Sequence, residues 1–175
     1  SKVEKFPFAS ATTNASNVGN LLTQARFMAA SSNSPTHCYT SGGNTSFPVA
    51  VDTIDKFPIS ADANATDVGN LTQARSSASG SSDRVGGHGY TAGGVNWPAN
   101  PVSRTDVIDK YPFSSDANAT DVGNLTAPKD VSTGAGISST THGYVTGGVD
   151  PSGSPSSSLN VIEKFSFSVD GNATD

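Results

Sequence analysis

Ile54-Asp-Lys-Phe-Pro-Ile59 returns as Ile108-Asp-Lys-Tyr-Pro-Phe113 and Ile162-Glu-Lys-Phe-Ser-Phe167, and is preceded by Val3-Glu-Lys-Phe-Pro-Phe8. The steps between the four copies are 51, 54 and 54 residues. A second phrase, Asn-Ala-Thr-Asp-Val-Gly-Asn-Leu, stands at 64–71 and 118–125. It has a variant at 14–21, and its first four residues close the chain at 172–175. A third phrase, His88-Gly-Tyr-Thr-Ala-Gly-Gly94, is echoed at 37–43 and 142–148. Self-similarity at such a period marks a fold assembled from one recurring supersecondary unit. The chain therefore reads as a single repeat array over 1–175, with repeats at 3–53, 54–107 and 108–161 and a partial fourth at 162–175. Its last motif stops where the other copies continue, so the chain is expected to be a piece of a longer protein.

Within a repeat the signals are those of strands and turns. Phe6/Phe8, Phe57/Ile59, Tyr111/Phe113 and Phe165/Phe167 alternate at period 2, while Val3, Ile54, Ile108 and Ile162 fall on the opposite face. That alternation predicts a strand at least partly covered on both faces. Pro7, Pro58 and Pro112 within it suit an edge or a bulge, because proline donates no ladder bond. A turn follows, then a Val-Gly-Asn-Leu strand, a variable Ser/Gly-rich stretch expected to be mobile, and a His-x-Tyr strand ending in Gly-Gly. Helical periodicity is absent. About four short strands per repeat predict an all-β fold of propeller blades, about three and the start of a fourth. Four to eight blades close a typical ring, so further repeats or other copies are expected to complete it. A threefold β-trefoil or β-prism is the alternative, since three repeats of about 50 residues would suit one.

Composition narrows the function classes. The 10 Lys and Arg against 15 Asp and Glu give a net charge of −5, with charged residues at 14%. An acidic chain poor in charge carries no electrostatic footprint for nucleic acid or an anionic membrane surface. No apolar run approaches the roughly 20 residues of a bilayer-spanning helix. One cysteine excludes an internal disulfide and a multi-Cys zinc site.

The order of double glycine, loop and aromatic strand resembles the kelch repeat. The matching positions are Gly42-Gly43, Gly93-Gly94 and Gly147-Gly148, followed by Phe57, Tyr111 and Phe165. Leu21, Leu71 and Leu125 fall near the place of the kelch tryptophan. The full phrase, from the His-Gly-Tyr strand to Val-Gly-Asn-Leu-Thr, is similar to repeats of marine bacteriophage virion proteins. That resemblance implies a virion or tail-fibre component. The turns Ser60-x-Asp62-x-Asn64-x-Thr66, Ser114-x-Asp116-x-Asn118-x-Thr120 and Ser168-x-Asp170-x-Asn172-x-Thr174 resemble the Asp-box hairpin of sialidase-type propellers. Their Asp and Ser oxygens are expected to accept turn N–H bonds, and their Asn to tolerate positive φ.

Candidate chemistry is weighed against these structural roles. Asp62, Asn64, Thr66 and Asp67 space oxygens loosely like a calcium loop, but the glycine and distal acid of an EF-hand are missing, so a structural turn is the reading. His37, His88 and His142 occupy one place in three successive repeats, which should hold them apart; each is read as a strand histidine satisfied by hydrogen bonds. Cys38 stands where the other repeats have Gly89 and Gly143, and is read as an inert small residue. No catalytic set, cofactor or metal site is assigned.

In an array, recurring positions serve the frame and differing ones are free for recognition. The loops after the double glycine differ most, at 44–53, 95–107 and 149–161, and they hold Phe47, Trp97 and Arg104. Exposed aromatics there suit stacking on sugar rings or packing on a protein; the competing reading is that they plug a gap between blades. The expectation is a non-enzymatic virion protein, extracellular on the particle. Its loops would adhere to a host-surface glycan or protein, or to another virion protein. The alternatives are a carbohydrate-active propeller enzyme of sialidase-like architecture and a bacterial cell-surface adhesin.

Overall fold

In the computed structural model the described residues are 2–7, 14–21, 26, 28–97, 103–132, 135–150 and 157–175. β1 (Val3–Lys5) and β2 (Ser16–Gly19) pair antiparallel. A first four-stranded sheet takes β3 (Ala30–Asn33) and β4 (His37–Ser41). After a small hairpin of β5 (Asn44–Ser46) and β6 (Val49–Ala50) it continues with β7 (Thr53–Pro58) and β8 (Thr66–Asn70). The second sheet repeats the plan. Its strands are β9 (Ser79–Asp83) and β10 (His88–Ala92), a hairpin of β11 (Val95–Asn96) and β12 (Ser103–Arg104), then β13 (Val107–Pro112) and β14 (Thr120–Asn124). A third group has β15 (Ala135–Ser138), β16 (His142–Thr146), a hairpin of β17 (Val149–Asp150) and β18 (Ser157–Ser158), and β19 (Ile162–Ser166). Thr174 adds a single bridge to Lys164 there.

The four-stranded sheets are antiparallel meanders in the orders β3-β4-β7-β8 and β9-β10-β13-β14. Boundaries at 54, 108 and 162 therefore fall at the third strand, and one sequence repeat gives two strands to one sheet and two to the next. No helix occurs among the described residues. The Ile-Asp-Lys strand is not an edge: β7 and β13 lie between two neighbours. Pro58 and Pro112 are tolerated because each ends its strand, and pairing with β8 or β14 stops at Lys56 or Lys110. Their missing N–H lies beyond that ladder.

The apolar core sits between sheets rather than within one. Tyr39 of the first sheet stacks on Phe113 of the second at 4.7 Å, over Ile54, Leu71, Tyr111 and Ala119. Tyr90 stacks on Phe167 one repeat later at 5.0 Å, over Ile108, Leu125, Val145 and Phe165. The second sheet thus buries one face against the first sheet and the other against the third, as in a repeat array stabilised by nearest-neighbour contacts.

The Ser/Gly-rich stretches expected to be mobile are instead the first strands β3, β9 and β15, side by side. A Cβ on Gly80 would come within 2.1 Å of the Ser31 carbonyl oxygen, and one on Gly136 within 2.1 Å of the Gly80 carbonyl oxygen. Backbones this close admit only small residues, which is why the segment lacks an apolar stripe. Ser82 N–H donates to Ser138 Oγ at 2.7 Å and Asn33 N–H to Ser82 Oγ at 2.9 Å, linking the three strands.

Candidate functional site

A meander puts its first-to-second and third-to-fourth turns at one end, and its second-to-third connection and the exit to the next sheet at the other. The three hairpins therefore share an end with the inter-sheet connections 71–78 and 125–132. The turns at 34–36, 84–87 and 139–141 share the opposite end with the Asp-x-Asn-x-Thr turns.

Most recurring polar residues are consumed in building this frame. Arg26 and Arg75 enter their sheets from the connection and form buried ion pairs with Asp55 at 3.3 Å and Asp109 at 3.0 Å. Lys129 pairs with Glu163 in the same way. Thr72 N–H and Oγ1–H donate to Asp109 at 2.9 and 2.7 Å, and Thr126 does the same for Glu163. Burial pulls the Arg75 guanidinium below its ordinary value, against the opposing pull of Asp109. These charges pin each connection to the third strand of its own sheet. Arg26 and Arg75 are thereby held inside the frame.

The Asp-x-Asn-x-Thr turns have a different role from the one expected. Asn64, Asn118 and Asn172 each accept, at 3.0 Å through Oδ1, the N–H of Asn20, Asn70 and Asn124 on the preceding sheet. The carbonyls of those three residues accept from Ala65, Ala119 and Ala173 N–H at 2.8 Å. Asp62, Asp116 and Asp170 reach back to Lys5, Lys56 and Lys110 at 2.7, 2.5 and 2.9 Å. These bonds of the Asp and Asn oxygens cross to the neighbouring sheet instead of closing the turn. The only non-glycine residues at positive φ among the described residues are Met28 and Ser77, so the turn asparagines are not selected for that conformation. Asp67 Oδ1 accepts from Gly69 N–H at 3.1 Å, and no group of three metal-ligating side chains forms among the described residues.

The double glycines close the same frame from the hairpin end. Gly42 (φ 63°) and Gly43 (φ 93°) are left-handed, as are Gly93-Gly94 and Gly147-Gly148. Gly43 N–H donates to the Arg75 carbonyl at 2.9 Å and Gly94 N–H to that of Lys129 at 3.0 Å, tying each sheet to the connection that leaves it. A Cβ on Gly42 would meet the Arg75 carbonyl oxygen at 2.4 Å. The histidines are strand residues: Thr36 Oγ1 lies 2.9 Å from His37 Nδ1, and Thr141 Oγ1 lies 2.8 Å from His142 Nδ1. His88 follows Gly87, lacks that threonine, and is half-buried. Cys38 is half-buried, and burial raises its thiol above the ordinary range, away from thiolate chemistry.

What remains on the hairpin end is what does not recur. Phe47 and Trp97, from successive hairpins, meet with ring centroids 5.2 Å apart and planes tilted by 54°. Phe47 is 66% exposed, whereas Trp97 is half-buried and its carbonyl accepts Ala50 N–H at 3.2 Å. Trp97 thus braces one hairpin on the next, and Phe47 presents a ring to solvent with Val49 exposed beside it. Arg104 is half-buried on β12, in register with Val95, and its Nε is buried without a hydrogen-bond partner. Residues 98–102 and 151–156 of the variable loops lie outside the described residues. The lysine-to-Asp clamps escaped notice in the sequence because their partners stand one repeat apart. Their signal was there: a lysine recurs two residues after each Val or Ile, and an Asp recurs in each turn.

No family model matches the chain, and no curated protein matches it. Among solved structures it is similar to that of YjhT, with a TM-score of 0.69 over 86% of this chain at 10% sequence identity. The chain spans 45% of the length of that protein. At this identity the likeness shows the fold alone: an all-β arrangement of several small antiparallel sheets.

Proposed function

We propose that the sheets are blades of a kelch-like β-propeller. In this reading the chain is an adhesive part of a virion, a tail-fibre or decoration component that binds a host-surface glycan or protein through its hairpin end. The four-stranded meanders, their core between successive sheets and the adjoining first strands support a propeller over a trefoil or prism. The observation that carries the binding role is the Phe47–Trp97 pair: it belongs to no repeated contact, and it leaves one aromatic ring two-thirds exposed. A rigid ring on a braced hairpin costs little conformational entropy when it stacks on a sugar or fills a partner's pocket. The recurring charges are already paired inside the frame, which favours a binding surface over a catalytic one. The ring itself would be completed by further repeats or further copies.

The test is binding of the labelled protein to immobilised bacterial surface polysaccharides and to intact marine bacteria, with Phe47→Ala beside the unaltered chain. Phe47 is exposed, so the variant should fold normally by circular dichroism while losing roughly tenfold or more in binding, as expected for an aromatic anchor. Equal binding by both proteins would overturn the assignment to this end. Absence of binding to any of these surfaces would overturn adhesion itself.

A further inference from the structure

The turn between β9 and β10 breaks the repeat. Its counterparts are the tight Ser34-Pro35-Thr36 and Ser139-Thr140-Thr141, each folded around a serine hydroxyl that accepts two backbone N–H groups. The second sheet has Asp83-Arg84-Val85-Gly86-Gly87 instead, two residues longer. The longer turn is held in one shape. Val85 and Gly86 N–H donate to Asp83 Oδ1 at 3.1 and 2.7 Å, Gly87 N–H donates to the Asp83 carbonyl at 2.9 Å, and Gly87 takes φ 76°. This scaffold lifts Val85 to 81% exposure and leaves Arg84 exposed, with no hydrogen bond or ion pair among the described residues. Both line a cavity of about 330 Å³ whose other walls are Asn33, Ser82, Ser138, Ser139 and Thr140.

From this geometry we infer that the Arg84–Val85 turn and the hydroxyl-lined cavity beneath it form a binding site for a small carboxylate-bearing sugar. The site lies at the end of the molecule opposite Phe47 and Trp97, and does not rest on the hairpin reading. Each wall matches one part of such a ligand. An unpaired guanidinium offers a planar fork to a carboxylate. The Ser139 and Ser82 hydroxyls are already committed to their own strands and turn. The Thr140 hydroxyl makes no hydrogen bond among the described residues and the Ser138 hydroxyl only accepts Ser82 N–H, which leaves these two to donate to and accept from the hydroxyls of a polyol. The Val85 isopropyl group offers an apolar face to the C–H side of a sugar ring. The volume lies at the lower limit of small-molecule pockets, suited to a single ring. Asp83, the nearest acid on the same turn, is buried and its Oδ1 is occupied by two backbone N–H groups, so it is already committed to the turn.

The experiment is an NMR titration of the isotopically labelled chain with D-glucuronate, D-glucose and acetate, repeated on Arg84→Gln. Glucuronate should shift the amides of Arg84, Val85, Ser138 and Thr140 saturably. Glucose and acetate should each bind at least about tenfold more weakly, and the variant should lose about tenfold or more in glucuronate affinity. Arg84 is exposed, so an unchanged spectrum away from the turn verifies that the variant is folded. A lack of saturable shifts with glucuronate would overturn the site. So would equal affinity in the variant, or acetate binding as well as glucuronate, which would reduce the site to a bare anion contact. Failure of these tests leaves the Phe47→Ala experiment untouched, because the two sites share no residue.

Discussion

Exchange of the buried ion pairs between repeats should be tolerated only when both partners change. Arg75 and Asp109 are fully buried and 3.0 Å apart, with Arg75 Nη2 also donating to the Thr91 carbonyl at 3.0 Å. The equivalent pair one repeat on is Lys129–Glu163. Arginine reaches about one bond further than lysine, and glutamate about one bond further than aspartate, roughly 1.5 Å in each case. The two pairs therefore span similar gaps with the length moved from the base to the acid. Arg75→Lys alone leaves the gap about one bond too wide, and Asp109→Glu alone overfills it. Each should cost about 1–3 kcal/mol, while the double exchange should recover most of the loss, a coupling of at least about 1 kcal/mol. Asp109→Asn, which strands a buried guanidinium, should cost about 3–5 kcal/mol. Equilibrium urea unfolding followed by circular dichroism and by fluorescence of the single tryptophan reads these differences, with the slope checked for constancy across variants. Losses that add in the double variant would refute the reasoning, since the two side chains would then not be reading each other's length.

Three further outcomes follow from the same geometry. In the clamp turn, Asn118→Ala should cost about 1 kcal/mol or more in any salt because it removes the partner of Asn70 N–H, whereas Asp116→Ala should cost less than about 1 kcal/mol and nothing measurable in high salt; urea titrations at two ionic strengths separate them. Asn44 is fully buried with neither amide atom hydrogen-bonded, where the other repeats place Val95 and Val149, so Asn44→Val should raise stability by about 1–3 kcal/mol and lift the melting temperature. Burial raises the Tyr90 and Tyr111 hydroxyls above the ordinary tyrosine value near 10; the unfolded chain then loses those protons first, so the contribution of these two groups is fully present below about pH 10 and stability should fall as pH rises above it. Tyrosinate absorbance should rise together with unfolding, and Tyr90→Phe, whose lost hydroxyl has no partner, should reduce the slope without lowering neutral-pH stability.

How much of this was legible depended on whether the partner of a residue lies in its own repeat. Period-2 alternation located Phe57, Tyr111 and Phe165, and Ile54 and Ile108 on the opposite face are buried, whereas Ile162 of the last copy, with no further sheet over it among the described residues, is 61% exposed. Proline misled, because sequence does not show how far a ladder extends: Pro58 ends a central strand instead of marking an edge. The first strands were hidden because their neighbours are backbones rather than an apolar layer, so Ser31, Gly80 and Gly136 carry no hydrophobic signal. Asn64 and Asn118 could be assigned to a turn, but a bond to the preceding sheet has no local signature. Of the candidate site, Phe47 and Trp97 were found as departures from the repeat, though their mutual contact was not. Arg84 departs in the same way, but the Ser/Gly-rich stretch around it carries no sequence signal of a site.

The central claim is that recurring and small residues alike are spent on joining each sheet to its neighbours, with the Ser/Gly-rich stretches as packed first strands. Hydrogen exchange followed by mass spectrometry tests it most directly, on peptides covering Ser79–Asp83 beside those covering His88–Ala92. The account predicts comparable protection in the two, far slower than an unstructured Ser/Gly segment. Complete exchange of Ser79–Asp83 at the rate of a free peptide, with His88–Ala92 still protected, would contradict it.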